Sequence, residues 1–420
     1  MHHKLFTKQK DHFDPTSANA AAPSLPDSSP SSNSTLKKQL PIKRPESQFF
    51  DLGYSASAVH HLTEVLGSGY CGGHSTFVQG SEELLSERLR CFFGLVCNGT
   101  VALELALRVA GVTPGQMVAV SARSFVATAN AILSLGGIPV FVDQSELGIG
   151  MCPDSLKRTF ATYPEIRTVV VAHLYGSAPT IGKIHALCAD YQKTLIEDAA
   201  QGFGTSVAGR PLGTWGRMGT FSFFSNKVLS CGEGGGVAFA SEDDNQLFRE
   251  IRYHGGRIND SGEFVESRHG TNARMGALQA ALLFSQLQTV DQHLQYRSDL
   301  ARSYQVSLSG VSSLVELAAD EAGRPLSLWC AVLRRKGGRL WDPQAAKHLA
   351  RVLCAHDIAC RPGMPWLSSL PHLRQFQEVK ANPGERGIEL LCPLHPGMDN
   401  SSVERVVEDV NRVILNENLA

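Results

Sequence analysis

The amino-acid sequence predicts an α/β fold in which a mostly parallel sheet lies between helices. Segments 117–120, 138–143 and 168–172 are short and almost wholly apolar, and segment 194–198 follows at the distance of one helix and its loop. Near-continuous apolar strands that alternate with helical patterns are typical of a parallel sheet covered on both faces. Because ligands of such sheets bind at the carboxyl ends of the strands, Asp198, at one of those ends, is a candidate site residue.

Helical patterns separate and follow these strands. Segment 81–90 has leucines on one face, and segment 98–111 has a polar start and a glycine at its end. The run from 275 to 308 keeps helical periodicity, so we expect one long helix there that links a large domain to a smaller one. Segments 344–355 and 402–415 are the helices expected in the smaller domain.

Three regions are predicted along the chain. Residues 1–46 are rich in Ser, Pro, Ala and Asn, cannot bury enough apolar area to offset the entropy of ordering, and are expected to be disordered. Residues 47–290 are expected to form a large ligand-binding domain, and residues 291–420 the linking helix and a small C-terminal α/β domain. The lysines near the start precede no apolar run, so no secretory signal is predicted.

The composition is that of an ordinary globular protein. A net charge of −1 gives no electrostatic reason to bind nucleic acid, and no apolar run approaches the roughly 20 residues that span a bilayer. Ten cysteines without a Cys-x-x-Cys pair favour reduced thiols in the cytoplasm over a zinc or redox site. His173 and His185 are expected to pack or cap rather than to bind metal. The expected partners are therefore small molecules and a second copy of the chain.

Lys227 lies between an aromatic segment, 221–224, and a glycine cluster, 232–236. This surrounding is too apolar for a solvated face and too rich in glycine for a continuing helix. An amine held beside apolar walls has a lowered pKa and can attack a carbonyl group as a nucleophile. The alternative is a surface lysine in a turn, which is where most lysines lie.

Three further features complement this lysine. Free N–H groups, the helix dipole and a hydroxyl at Asn98, Gly99 and Thr100 suit a phosphate, although a plain helix cap has the same pattern. Asp198 can form a charge-assisted bond to a protonated ring nitrogen, or can simply cap a helix. Ser222, five residues before the lysine, can reach the same phosphate or serve the strand backbone. Together these groups describe a site for pyridoxal 5'-phosphate (PLP).

On these residues, the chain from about residue 67 to its end resembles the DegT/StrS family of PLP-dependent sugar aminotransferases, which have the fold-type I scaffold of aspartate aminotransferase. The resemblance implies a large PLP-binding domain within 47–290 and the smaller domain after it. The matching strings are 98–100, 124–131, 171–176, 196–201, 221–227, 232–235 and 270–275.

The resemblance implies a role for each matching residue around the cofactor ring. Lys227 would bind PLP covalently and then move a proton between the cofactor and the substrate carbon. Asp198 would hold the pyridine nitrogen protonated, Gln201 would face the phenolic oxygen, and Phe125 would stack on the ring.

Further matching residues are implied to bind the cofactor phosphate. Gly99, Thr100 and Val101 at the helix start would bind it together with Ser222. Asn272 would reach the phosphate of the cofactor in the neighbouring subunit. The resemblance therefore implies a homodimer with shared active sites.

The implied reaction moves an amino group from glutamate or glutamine to a keto-sugar or cyclitol ketone, in amino-sugar or antibiotic biosynthesis. The sequence departs from many family members, which have histidine at the position of Gln201 and asparagine at that of Val228. The string 227–235 is more similar to scyllo-inosose aminotransferases and to 3-amino-5-hydroxybenzoate synthases.

Two alternatives remain. One is a dehydrating or aromatising PLP enzyme, although dehydrating relatives replace the lysine with histidine and this chain keeps Lys227. The other is a PLP-binding regulatory protein, which the absence of a basic patch or a helix-turn-helix pattern disfavours. The sequence names neither the ketone, the donor nor the pathway.

Overall fold

The computed structural model describes most of the chain between residues 53 and 417. The described residues are 53–145, 149–259, 261–311, 314–319, 325, 327–376, 378–379 and 386–417. The extension expected to be disordered, residues 1–46, lies outside them.

Two sheets carry most of the fold. In chain order the strands are β1 (Phe92–Val96), β2 (Met117–Ser121), β3 (Ile138–Val142), β4 (Thr168–Ala172), β5 (Thr194–Asp198), β6 (Ser206–Val207), β7 (Arg210–Pro211), β8 (Met218–Ser222), β9 (Gly235–Phe239), β10 (Gly256–Ile258), β11 (Phe264–Glu266), β12 (Val315–Leu317), β13 (Ala331–Arg335), β14 (Arg361–Pro362), β15 (Glu378–Val379) and β16 (Leu390–Cys392).

The larger sheet has eight strands in the order β1-β9-β8-β5-β4-β2-β3-β15. Every neighbouring pair from β8 to β15 is parallel, whereas β9 is antiparallel to both of its neighbours. All five residues of β4 are buried, as a strand covered on both faces requires. The predicted α/β fold with a mostly parallel sheet is therefore confirmed.

Helices cover this sheet and build the C-terminal part. They are α1 (Ala56–Gly67), α2 (Thr76–Leu89), α3 (Gly99–Val109), α4 (Ala127–Ser134), α5 (Pro153–Thr162), α6 (Ile181–Asp190), α7 (Glu242–Arg252), α8 (Ala277–Leu287), α9 (Val290–Val311), α10 (Pro343–Ala355) and α11 (Asn400–Asn416). None of the helices in the described part of the chain combines the length and the apolar character needed to cross a membrane.

The single long helix expected over 275–308 is wrong, because the chain bends between α8 and α9. The apolar side chains of α8 pack with the strands and helices of the larger sheet, whereas those of α9 pack with the C-terminal strands. At the bend, the side-chain Oε1 of Gln286 accepts a hydrogen bond from Ser230 N at 2.8 Å. The continuous helical periodicity of this segment in the sequence thus covers two helices that pack into different cores.

The C-terminal part has its own core. An antiparallel sheet in the order β12-β13-β16-β14 packs against α9, α10 and α11 around buried side chains such as Tyr304 and Trp341. The chain also returns to the larger sheet: β15 pairs in parallel with β3, and Leu367 and Leu373 are buried in the core of that sheet. The domain limits 47–290 and 291–420 stay predictions, with segment 366–379 packed on the larger side.

A buried ion pair joins the two cores. Arg123, which follows β2, forms a salt bridge with Glu389, which precedes β16, and both side chains are fully buried. Tyr175 donates its hydroxyl to Glu389 Oε2 at 3.0 Å, and Arg334 of β13 lies 3.3 Å from the other carboxylate oxygen. Burial alone raises the pKa of Glu389, but Arg123 and Arg334 hold it below its usual value.

Candidate active site

The candidate residues meet at one edge of the larger sheet. Asp198 is the last residue of β5, and Ser222 is the last residue of β8. Helix α3 begins at Gly99, three residues after β1 ends, and β1 runs in the same direction as β8 because both are antiparallel to β9. The carboxyl ends of these strands and the amino end of α3 therefore share one side of the sheet, as predicted for a ligand site in this fold.

The start of α3 packs directly against Ser222. A Cβ added to Gly99 would lie 2.8 Å from Ser222 Cβ and 3.2 Å from its Oγ. A Cβ added to Gly235, on the neighbouring strand, would lie 2.5 Å from the Asn98 carbonyl. Glycine at both positions thus lets the helix end approach the strand ends closely enough for its N–H groups and the serine hydroxyl to face one ligand.

The backbone donors at this helix end are not equivalent. Asn98 is the capping residue, and its Oδ1 accepts the N–H of Val101 at 2.9 Å. The N–H groups of Gly99 and Thr100 belong to the first turn, where a helix offers no acceptor of its own. In this structure Gly99 and Thr100 therefore have donors left for a phosphate, whereas the N–H of Val101 already has a side-chain partner.

Asp198 is held as a buried carboxylate. Only 8% of the residue is exposed, and Thr128 donates its hydroxyl to Oδ2 at 2.6 Å while Ala200 N donates to Oδ1 at 3.2 Å. Turns follow β5, so Asp198 does not cap a helix. The carboxylate keeps lone pairs for a further donor, as a partner of a protonated ring nitrogen must.

Lys227 is not an ordinary surface lysine. Its Nζ lies 5.0 Å from the centre of the Trp329 ring. Burial lowers the pKa of the amine to about 8, while the charge of Asp198 opposes that shift. The residue is half-buried and the Asp198 charge acts on its amine, which favours a site residue over the surface-lysine alternative.

The loop that carries Lys227 is closed by backbone hydrogen bonds. Phe223 N donates to Gly234 O at 2.8 Å, and Ser225 N donates to Gly232 O at 2.9 Å. Gly232 has a φ of 88°, a conformation that other residues rarely adopt. The glycine cluster seen in the sequence therefore allows the chain to turn back into β9 directly after presenting the lysine.

The orientation of the Gln201 amide is set by the backbone. Gln201 is buried, and its Oε1 accepts a hydrogen bond from Tyr175 N at 2.6 Å. Tyr175 itself has a φ of 58°, in the left-handed region. Because the oxygen is engaged, the NH₂ group of Gln201 is the part left to donate to a ligand.

Phe125 and Asn272 are the two predicted site residues whose side chains are exposed. Phe125 is 57% exposed, and its carbonyl accepts Thr128 N at 3.2 Å, so it lies one turn from the residue that holds Asp198. Asn272 is exposed, and the adjacent carbonyl of Ala273 accepts Cys97 N at 3.0 Å. No contact of Asn272 with Gly99, Thr100 or Ser222 appears among the described residues, and its role across a dimer stays a prediction.

Two residues of the site were not predicted from the sequence. Thr128 lies in the family-like string 124–131, three residues after Phe125, and this spacing was the available signal. Trp329 follows Lys227 by about 100 residues and carries no local motif. Within the described residues no group of His, Cys, Asp or Glu is arranged to hold a metal, and His173 Nε2 lies 2.7 Å from a Glu197 carboxylate oxygen.

These groups fit PLP. The cofactor has a phosphate, a pyridine nitrogen and an aldehyde, and the site offers first-turn N–H groups beside Ser222, the buried carboxylate of Asp198, and the amine of Lys227. The fold and this set of groups define a fold-type I PLP-dependent transferase.

Within that class, the chain belongs to the DegT/DnrJ/EryC1/StrS aminotransferase family, whose sequence model matches residues 56–411. It is therefore a PLP-dependent aminotransferase. The resemblance to this family, predicted from Lys227 and the matching sequence strings, is confirmed.

Relatives of known assignment cover most of the chain. GDP-perosamine synthase of Vibrio cholerae is 29% identical over 355 residues, which are 82% of this chain and 93% of that protein. A Streptomyces kanamyceticus protein assigned as L-glutamine:3-amino-2,3-dideoxy-scyllo-inosose aminotransferase is 28% identical over 305 residues, which are 71% of each chain.

The fold is also known from solved structures. A Streptococcus pneumoniae protein assigned as a sugar aminotransferase superposes in its PLP-form with a TM-score of 0.76 at 21% identity, covering 87% of this chain and 97% of that one. Its pyridoxamine phosphate (PMP) form superposes with the same TM-score, covering 98% of its chain.

Proposed function

We propose that this aminotransferase takes the amino group of glutamate or glutamine and transfers it to a ketone on a sugar or cyclitol ring. The observation that carries the proposal is the placement of the Lys227 amine, which lies 5.0 Å from the centre of the Trp329 ring and is affected by the charge of the Asp198 carboxylate. Retention of lysine, where dehydrating relatives have histidine, favours amino transfer over dehydration.

PLP, when bound, supplies the electron sink that makes the hydrogen on the amino-bearing carbon of a donor acidic. The chain's own residues hold and orient it. The N–H groups of Gly99 and Thr100 and the Ser222 hydroxyl bind the phosphate, and Asp198 keeps a proton on the ring nitrogen. The NH₂ group of Gln201 donates to the phenolic oxygen.

Lys227 moves the proton. A general acid–base group works best when its pKa lies near the working pH, because it then both accepts and donates the proton. Burial brings the pKa of Lys227 to about 8, so its amine accepts a proton from the donor carbon and its ammonium returns one to the acceptor carbon.

The choice of substrates rests on similarity. The names of the two relatives include a nucleotide-linked amino sugar and a cyclitol ketone with glutamine as donor, and the string 227–235 favours a carbocyclic or free ketone. The exposed side chain of Asn272 suits contact with a second copy, so we place the working site in a homodimer. The ten cysteines, all in the described part of the chain, are free thiols, which suits the cytoplasm.

A donor screen followed by a ketone panel tests the proposal. With glutamate or glutamine, the absorbance of lysine-bound PLP should disappear as PMP forms, and a matching ketone should restore it. Conversion by no donor would contradict amino transfer and favour lyase chemistry.

The variant Lys227→Ala should lose both the lysine-bound absorbance and turnover, because no other described side chain supplies the amine. Lys183→Ala removes an exposed lysine on α6 and should behave as the wild type. Full transamination by the Lys227→Ala protein would refute the assignment of this lysine.

A further inference from the structure

Trp329, from the C-terminal part of the chain, contacts the Lys227 segment. Its indole Nε1 donates a hydrogen bond to the backbone carbonyl of Asn226 at 2.6 Å, and its ring lies 5.0 Å from Lys227 Nζ. One side chain thus contacts both the peptide unit that precedes the lysine and the amine at the end of its side chain.

Trp329 is itself firmly held. It is 4% exposed, and its ring is parallel to that of Tyr175, with an interplanar angle of 7° and centroids 6.4 Å apart. The guanidinium of Arg297, buried on α9, donates to the carbonyls of Leu328 and Trp329 at 3.2 and 3.4 Å. The backbone and the ring of Trp329 are therefore fixed independently of the loop that carries Lys227.

The peptide unit between Asn226 and Lys227 has one partner inside the loop and one outside it. Its N–H, on Lys227, donates to Phe224 O at 2.9 Å, and its carbonyl, on Asn226, accepts the hydrogen bond from Trp329. The Asn226 carbonyl is thus positioned by a side chain from outside the loop. The orientation of this peptide unit determines the backbone conformation at Lys227. The direction in which the Lys227 side chain extends therefore depends on it.

We propose that Trp329 is a positioning residue for Lys227: its indole N–H fixes the preceding peptide unit and its ring supports the amine, so that proton transfer occurs in one geometry. The inference rests on the proposed function of Lys227. Because misplacing a reacting group by about 1 Å can cost up to roughly 100-fold in rate, a residue that only positions the lysine can still control the reaction.

A matched pair of variants isolates the N–H group. Trp329→Phe and Trp329→His both replace the two fused rings of the indole with a single aromatic ring near the amine. Only histidine keeps an N–H, at Nε2, separated from Cγ by one ring carbon as Nε1 is in tryptophan. Trp215→Phe is the control, because Trp215 Nε1 is buried without a hydrogen-bond partner and the change removes no bond.

The full-length, PLP-loaded proteins are compared by two measurements. The visible circular dichroism of the bound cofactor reports its orientation without any turnover. The single-turnover rate with the amino donor, with hydrogen or deuterium on the donor carbon, reports proton transfer separately from donor binding.

We expect Trp329→Phe to bind PLP stoichiometrically, to lose at least half of the visible circular dichroism, and to slow proton transfer about tenfold with an increased deuterium effect and unchanged donor affinity. Trp329→His should retain most of both signals, and Trp215→Phe should match the wild type. Equal losses in the Phe and His variants, or no loss in either, would overturn the inference. If the wild type reacts with no donor, the proposed function fails, while the dichroism comparison still decides the role of Trp329.

Discussion

At the scale of single residues, the environment of Lys227 changes what its amine can do. An ordinary lysine has a pKa near 10.5, so about one in three thousand amines is neutral at pH 7, whereas with a pKa of about 8 roughly one in ten is neutral. Burial causes this shift, and the Asp198 carboxylate limits it. The neutral fraction is the one that attacks an aldehyde.

The attachment of PLP to Lys227 should depend on pH. The rate at which PLP attaches to the full chain should rise with pH and level off above about pH 9, one unit above the pKa of Lys227, because roughly 90% of the amine is then neutral. The appearance of the lysine-bound absorbance between pH 6 and pH 11 measures this rate. A rate that still climbs steeply above pH 10 would mean that the amine titrates as an exposed lysine does.

Gln201 provides a second residue-scale prediction. Tyr175 N–H engages Oε1, so Gln201→Glu would keep that bond and replace the outward NH₂ donor with a negatively charged acceptor. The charge should raise the pKa of the bound cofactor's phenolic oxygen by about one unit. Titration of the cofactor absorbance measures it. Gln201→His, the residue of many family members, keeps a donor and should shift the titration less; equal shifts in both variants would contradict the assigned orientation.

At the scale of elements, the proposed phosphate site depends on how closely α3 approaches β8. Gly99 is the point of contact, since any Cβ there would lie 2.8 Å from Ser222 Cβ.

Gly99→Ala should therefore push the helix end away from Ser222 and weaken PLP binding by roughly tenfold, which corresponds to about 1.4 kcal/mol. Equilibrium dialysis of the cofactor measures the change. Gly310→Ala on α9 is the matched control: its Cβ meets no atom within 4 Å, so it should leave PLP affinity unchanged and stabilise the helix by roughly 0.5–1 kcal/mol. Unchanged affinity in Gly99→Ala would show that the phosphate is bound elsewhere.

Elements also show where local patterns determine structure. Strands β2 to β5 were predicted nearly to the residue, because five apolar residues bounded by polar turns allow few other structures. The bend between α8 and α9 was missed, since both helices present apolar faces at the same period but to different cores. Periodicity reports that a face is buried and does not report what covers it.

At the scale of the whole molecule, the buried pair of Arg123 and Glu389 connects the core around the larger sheet with the C-terminal core. The same contacts include the hydroxyl of Tyr175, whose ring stacks with that of Trp329. The Lys227 amine thus lies near a tryptophan that is linked through Tyr175 to this buried pair.

Removing one partner of this pair should be costly. Glu389→Gln leaves the Arg123 guanidinium buried without its counter-charge and should lower the free energy of unfolding by about 3–5 kcal/mol. Urea unfolding followed by far-ultraviolet circular dichroism measures it. Arg412→Gln removes an exposed partner of Asp409 on α11 and should cost less than about 1 kcal/mol. A similar small effect of both changes would contradict a structural role for the buried pair.

Contacts between segments far apart in the chain were not predicted from the sequence. Lys227, Asp198 and the α3 start could be found because each follows a recognisable strand or helix signal, and the family strings fixed their combination. Trp329 and the return of β15 to β3 depend on contacts between distant segments that no local pattern encodes. Which ketone is accepted depends likewise on the shape of an assembled site.

The central claim is that Lys227 and PLP transfer an amino group, and an isotope experiment tests it most directly. The PLP-loaded protein is mixed with glutamate or glutamine carrying ¹⁵N at the α-amino group, and the released cofactor is analysed by mass spectrometry. Amino transfer by Lys227 and PLP should place ¹⁵N in PMP and then, after a keto-sugar or cyclitol ketone is added, in the aminated product, with neither seen in Lys227→Ala. Label that appears only as free ammonia, with none in the cofactor, would contradict amino transfer.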